Sequence, residues 1–288
     1  MPETYIPTFR TSRPTNELQA LNLQPTFDQL LTSIQDMDSL VKLSRWHNYV
    51  QRERALELAR VLRDFGGYSQ LHWRLTSGEA NPYLSFLVRR KFPNYPNFYS
   101  EDGLFRQIII PGTNIKFDVP HFNATLSKYL DCDIYRNNIP ADWAGWVGDM
   151  FTYARDLESE IKEKPISLDS MYRKASGSIG TNDPNFNHSF GPSDFYADID
   201  ARNISTLIHN GLSYHDAMDN YYNNNLYGRF GHFINSYGGW KNFEKHVNSF
   251  NFFPLRPFVN PIFIDAAKRA FINKIREGCL NEMGCYIP

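Results

Sequence analysis

The chain has only three cysteines, Cys132, Cys279 and Cys285, and no two are spaced Cys-x-x-Cys. That spacing argues against a thiolate zinc site. Cys279 and Cys285 could bridge, but six residues apart is not a disulfide framework, and the expectation is free buried thiols. No apolar run approaches the roughly 20 residues of a membrane span. The opening stretch "MPETYIPTFRTSRPTNELQ" lacks the apolar centre of a cleavable secretion leader. The expectation is synthesis in the cytoplasm, with any export by a route independent of such a leader. A large charge of either sign is missing too. A formal net charge of −1 sets up no basic field for a phosphate backbone, so general nucleic-acid binding is not expected. There is no Gly-x-Ser-x-Gly elbow, phosphate-binding loop, dinucleotide fingerprint or His-Glu-x-x-His. No cofactor is expected from these motifs.

What is present is a chain of 288 residues with 42% hydrophobic side chains, enough to bury a sizeable core. Tyrosine and asparagine are abundant. They suit a wet, hydrogen-bonding groove for a polymer, and equally the codon usage of an AT-rich genome. Residues 1–24 are polar and proline-punctuated and read as an extended arm. From Thr26, "TFDQLLTSIQDMDSLVKL" has helical apolar spacing with Thr26 as cap. In "NYVQRERALELARVLRDFGG" Val50, Ala55, Leu56, Ala59 and Leu62 share a face, and Gly66-Gly67 stops the helix. "YSQLHWRL" and "NPYLSFLVRRKF" read as shorter helices, the second opening on Pro82. "FRQIII-PGTN-IKFDV" breaks the pattern, because two β-branched runs flank a turn sequence. Helical periodicity resumes at His121. "DWAGWVGDMFTYARDLESEIKEK" reads as one long helix capped by Asp142. "KASGSIGTNDPNFNHSFGPS" reads as a surface loop or lid. "DFYADIDARNISTLIHNG" is a helix capped by Ser193 or Asp194 and closed by Gly211, and four further segments, "SYHDAMDNYYNN", "RFGHFINSYGG", "WKNFEKHVNSF" and "NPIFIDAAKRAFINKIREG", complete the chain. The fold expected is mainly α: one helical domain over residues 25–288, with a small β-hairpin near 105–119.

Three groups of residues carry possible chemistry. The first is Glu101 and Asp102, the hairpin, then Asp118 and His121. Glycosidic cleavage needs a carboxylic acid to protonate the leaving oxygen, and a second group to stabilise the cationic centre or activate water. The bland account of the same residues is an exposed turn at Glu101-Asp102 and a helix-start histidine tied to Asp118. The second group is Trp143, Trp146 and Asp149. Tryptophan faces stack on sugar rings, and the small residues between them let a ligand or another helix come close. The third lies in "SDFYADIDARNI". Asp194 and Asp198 are four apart and share a helix face, Asp200 points elsewhere, and Asn203 follows. Asp118, His121, Asp149, Asp194, Asp198 and Asp200 are also the types that hold a hard divalent metal, which leaves a metal-dependent phosphodiesterase open as an alternative. A structural or interaction protein is the third class. His209, His215, His232 and His246 sit at unrelated helical phases and read as surface or core histidines.

Glu101, Gly103, Leu104, the hairpin and His121 resemble the layout of phage-type lysozymes, in which a glutamate leads into a hairpin and a histidine opens the next helix. This chain departs from that pattern: Asp102 intervenes, "QIIIPGTN" has no carboxylate, and Asp118-Val119-Pro120 precedes the histidine. The resemblance implies Glu101 as general acid, with Asp118 standing in as the second group, and peptidoglycan as substrate. "DVPHFNATL", "WAGWVGDM" and "DFYADIDARNI" also resemble in style the C-terminal modules of bacterial secreted effectors and polymorphic toxins. That likeness implies a toxin-like hydrolase with a cognate immunity or secretion partner. The catalytic candidates are thus Glu101, Asp118, His121, Asp149 and Asp198, and the substrate-binding candidates Trp143, Trp146, Asp194, Asp200 and Asn203. A carboxylate buried in a core needs a partner. The helix carrying Asp198 and Asp200 is therefore expected beside the helix starting at His121, with one of the two acids within its reach.

Overall fold

A computed structural model describes residues 27–43, 50–65, 78–91, 107–110, 116–132, 139–163, 192–225, 228–250 and 259–282. In chain order these form α1 (Phe27–Leu43), α2 (Gln51–Phe65), α3 (Pro82–Lys91), β1 (Gln107–Ile109), β2 (Lys116–Asp118), α4 (Val119–Asp131), α5 (Ile139–Ala144), α6 (Trp146–Glu163), α7 (Pro192–His209), α8 (Tyr214–Asn220), a π-helical turn (Tyr221–Asn225), α9 (Arg229–Ser236), α10 (Trp240–Ser249) and α11 (Pro261–Leu280). The class is mainly α, with one antiparallel strand pair among the described residues. β1 and β2 are antiparallel, with Gln107 opposite Asp118, Ile108 opposite Phe117 and Ile109 opposite Lys116. No described helix is long and apolar enough to cross a membrane. The arm 1–24, the Thr26 cap, Gly66-Gly67, "YSQLHWRL", the hairpin turn and most of the expected lid loop lie outside the described residues.

The chain forms two compact units: Met1–Ala144 with Tyr196–Leu226, and Gly145–Phe195 with Tyr227–Pro288. In the first, α2 packs along α4. Leu30, Ile34, Met37 and Val41 of α1 face inward with Ala55, Leu58, Ala59, Val61 and Leu62 of α2. The spacing is that of one helical stripe, and burying it is the main driving force for the unit. Val50 is a correction to the expected stripe. It precedes α2 and is 60% exposed, while Leu58 and Val61 are buried in its place. α4 contributes Phe122, Leu126, Tyr129 and Leu130 to the same core, and α7 contributes Ala197, Ala201, Ile204 and Ile208. α7 closes as its sequence suggests. Gly211, at φ +103°, donates to Ile208 O, and Leu212 donates to Leu207 O.

The second unit is built on α6 and α11. Trp146 is buried and stacks on Phe271 at 4.8 Å, with Phe250 edge-on at 5.5 Å. Lys268 of α11 is also buried. Its ammonium donates to Asn248 O in the last turn of α10 and to Phe250 O at its C-cap, where a cation meets the negative end of the helix dipole. Asn260 caps α11 through Ile262 N, and Pro261 opens the helix where no backbone donor is needed. Cys279 is disulfide-bonded, which corrects the expectation of a free thiol there, while Cys132 is free. The long helix expected from Asp142 is two helices, α5 and α6, broken at Gly145. Asp142 is consequently a buried residue within α5 rather than a cap.

Candidate functional site

The candidate site belongs to the first unit, where α4 meets α7. Asp118 ends β2 and caps α4: its Oδ1 accepts the backbone N–H of His121 at 2.9 Å. Pro120 occupies the first turn, where its missing N–H costs nothing. This local chemistry places His121 in the first turn of α4, directly after β2. His121 Nε2 lies 3.0 Å from Asp198 Oδ1 on α7. Thr125, four residues after His121 and hence on the same helix face, donates its hydroxyl to the same oxygen at 2.7 Å. Asp198 is 2% exposed and His121 7% exposed. Asp198 Oδ2 is buried and has no hydrogen-bond partner among the described residues. The expected juxtaposition of α7 with α4 is present, and Asp198 is the acid that makes it.

Further along both helices the pairing continues in the same direction. The Arg202 guanidinium lies 5.2 Å from the Tyr129 ring centroid, and His209 Nε2 lies 3.3 Å from Tyr129 O. Tyr129 donates its hydroxyl to Asp142 Oδ1 at 2.7 Å, and Arg202 Nη1 approaches the same oxygen at 3.9 Å. Asn123 joins from the other side of α4. Its amide donates to Val119 O, and its carbonyl accepts the Tyr214 hydroxyl at 2.6 Å. So α4, α5, α7 and α8 are joined by buried polar contacts within one apolar core.

Asp200 is assigned differently from its expected role as a substrate contact. It is fully buried, and Tyr221 and Tyr222 donate to its two oxygens at 2.6 and 2.8 Å. Asn203 donates to the Tyr221 hydroxyl at 3.0 Å and is 4% exposed. These two residues tie α7 to the π-helical turn; they do not line an open groove. The widened turn brings two consecutive tyrosines to one carboxylate. Trp146 is likewise corrected. Its face is covered by Phe271 inside the second unit, so no sugar ring can stack there. Trp143 is half-buried on α5. Asp149 and Asp194 are half-buried in the first turns of α6 and α7, and both belong to the second unit. Glu101 and Asp102 lie outside the described residues. Among the described residues, no three His, Cys, Asp or Glu side chains form a set that could hold a metal ion.

Several members of this network escaped the sequence reading: Thr125, Asn123, Tyr129, Asp142, Arg202, Tyr214, Tyr221 and Tyr222. The His121-x-x-x-Thr125 spacing was a usable signal, since it puts two donors on one face. The tyrosines had none, because their partners are distant in sequence. Cys132, the C-cap of α4, has its thiol pKa raised, chiefly by burial, with the Lys128 ammonium opposing. It is therefore a poor nucleophile at neutral pH.

The fold and site define a mainly helical protein whose α4 and α7 are joined through a buried histidine–aspartate–threonine cluster. By sequence the chain belongs to the family described as YkzU uncharacterised protein, whose model matches residues 123–275. That stretch starts just after His121 and takes in Thr125, Asp142, Asp198, Asp200 and Arg202. No curated protein and no solved structure matches the chain.

Proposed function

We propose that the chain is a hydrolase of a cell-envelope polymer, with peptidoglycan as the substrate class and His121 as an acid–base group held by Asp198. The observation that carries this reading is the 3.0 Å contact between His121 Nε2 and Asp198 Oδ1, set immediately behind the hairpin. A histidine at the mouth of a helix, tied on one nitrogen to a buried carboxylate, can exchange a proton near neutral pH. Glu101 supplies the carboxylic acid that protonates the leaving oxygen in the glycosidase form of this proposal. Asp118 takes a supporting part, because its Oδ1 is committed to capping α4.

The test is release of soluble fragments from purified peptidoglycan by the full chain, by Glu101→Gln and by His121→Asn, each checked for fold by circular dichroism. The wild type releases fragments, EDTA leaves the rate unchanged, and both folded variants lose activity. Failure of the wild type to release fragments, or full turnover by both variants, would sink the proposal. A rate abolished by EDTA and restored by a divalent metal would shift the reading to the metal-dependent alternative.

One observation favours a second reading. The polar residues joining α4, α5, α7 and α8 are almost all buried and bonded to one another. Such networks also specify a unique packing, so the cluster would then be the architectural core of an interaction protein. In that case His121→Asn lowers stability and no envelope polymer is degraded.

A further inference from the structure

We infer that Thr125 and Asp198 together fix the tautomer of His121, with the proton on Nε2. Thr125 is a positioning residue in this arrangement, one that acts only through Asp198. The argument begins with acceptor capacity. An ionised carboxylate has no donor, so a ring nitrogen 3.0 Å from Asp198 Oδ1 must donate to it. Thr125 Oγ1 also lies 2.7 Å from Oδ1, and its hydroxyl can rotate to donate. Two donors on two successive turns of α4 therefore converge on one oxygen. Oδ2 accepts from no described residue, so nothing described pulls the carboxylate round to share its load. Loss of the Thr125 hydroxyl would remove one of the two contacts that aim Oδ1 at the ring.

The backbone supports the same geometry. Asp118 anchors the His121 N–H at 2.9 Å, so the ring leaves a helix turn that is itself capped. Thr125 and Asp198 are both buried, and bulk water does not compete for these bonds. A ring held in this way keeps one neutral form where a free imidazole would exchange between two.

The catalytic consequence rests on the hydrolase reading, whereas the tautomer does not. The experiment is therefore a ring measurement on the full chain. Protein with 15N-labelled histidine is examined by NMR on the alkaline side of the His121 titration, with assignment by the His121→Asn variant. The wild type should show His121 as a single Nε2–H form. Thr125→Val should lose that single form and show exchange between the two tautomers, and Thr125→Ser should restore the wild-type signals. A wild-type ring protonated on Nδ1 overturns the inference. So does a Thr125→Val variant, folded by near-ultraviolet circular dichroism, whose ring signals are unchanged. Should Thr125→Val not fold, Thr125→Ala is read in its place, and the wild-type ring still decides which nitrogen carries the proton. If no polymer is hydrolysed while the ring behaves as stated, the hydrolase reading fails and the tautomer assignment stands.

Discussion

Asp142 and Arg202 are both completely buried, and the guanidinium Nη1 lies 3.9 Å from the carboxylate Oδ1. Tyr129 connects them. Its hydroxyl donates to Asp142, and its ring lies beneath the Arg202 guanidinium. Two charges withdrawn from water in this way depend on each other. Removing one leaves the other buried with its charge less well compensated, which costs up to about 3–5 kcal/mol, whereas removing both costs less. Arg202→Met should therefore lower the urea unfolding free energy by about that amount. The double variant Arg202→Met/Asp142→Asn should recover a good part of the loss. Equal destabilisation by the single and double variants would show that the two charges are not coupled.

Gly278 lies inside α11, where glycine is ordinarily unfavourable. Its reason is packing: a Cβ at this position would overlap the Phe230 ring. Phe230 is itself buried on α9 and cannot swing out freely. Alanine would bring about 1 kcal/mol of helix propensity. Against this, forcing a methyl into a packed site costs about 1–3 kcal/mol. Gly278→Ala should lower the melting temperature, and adding Phe230→Leu should restore part of it. A melting temperature raised by Gly278→Ala alone would contradict the packing described.

Two carboxylates should give stability opposite slopes against pH. Glu282 accepts the backbone N–H groups of Phe230 and Gly231 at the start of α9, yet burial raises its pKa above the ordinary 4.5. The folded chain then keeps a proton that the unfolded chain has released. Its contribution to stability accordingly falls as pH rises from 4.5 through the folded value. Asp216 behaves the other way. A hydrogen bond with the Ser213 side chain, and then one with His215, hold its pKa below 3.8. Its contribution is present above that value and is lost as pH falls through the folded one. Melting temperature against pH should therefore lose its decline above pH 4.5 in Glu282→Gln. It should lose part of its acid-side rise in Ser213→Ala. Unchanged profiles in both variants would contradict these assignments.

Local rules carried the sequence reading a long way. Pro82 and Gly211 marked helix ends through backbone geometry alone, and the two β-branched runs marked the hairpin. Where that reading went astray, a neighbour distant in sequence or an unforeseen helix end was responsible. Trp146 has the exposed-looking spacing of a sugar platform, but Phe271 covers it. Val50 continues the apolar stripe of α2 on paper, but the helix starts after it and leaves it exposed. Asp142 has the composition of a cap, but the break at Gly145 separates α5 from α6 and leaves Asp142 to Tyr129 and Arg202.

The sequence by itself determined that Asp118 would cap a helix carrying His121 and Thr125 on one face. It likewise determined that Asp198 and Asp200 would point in different directions from another helix. Those are consequences of capping chemistry and of 3.6 residues per turn, both of which act within a few residues. Only the tertiary structure decided that Asp198 takes His121 and Thr125, while Asp200 takes Tyr221 and Tyr222. His121 and Asp198 are 77 residues apart, and no local preference can choose between two acids at that distance. The choice follows from which face of α7 the apolar residues Ala197, Ala201, Ile204 and Ile208 bury against the first unit's core. Once that stripe is buried, the direction in which each carboxylate leaves the helix is set, and each is tolerated inside only because a donor meets it there.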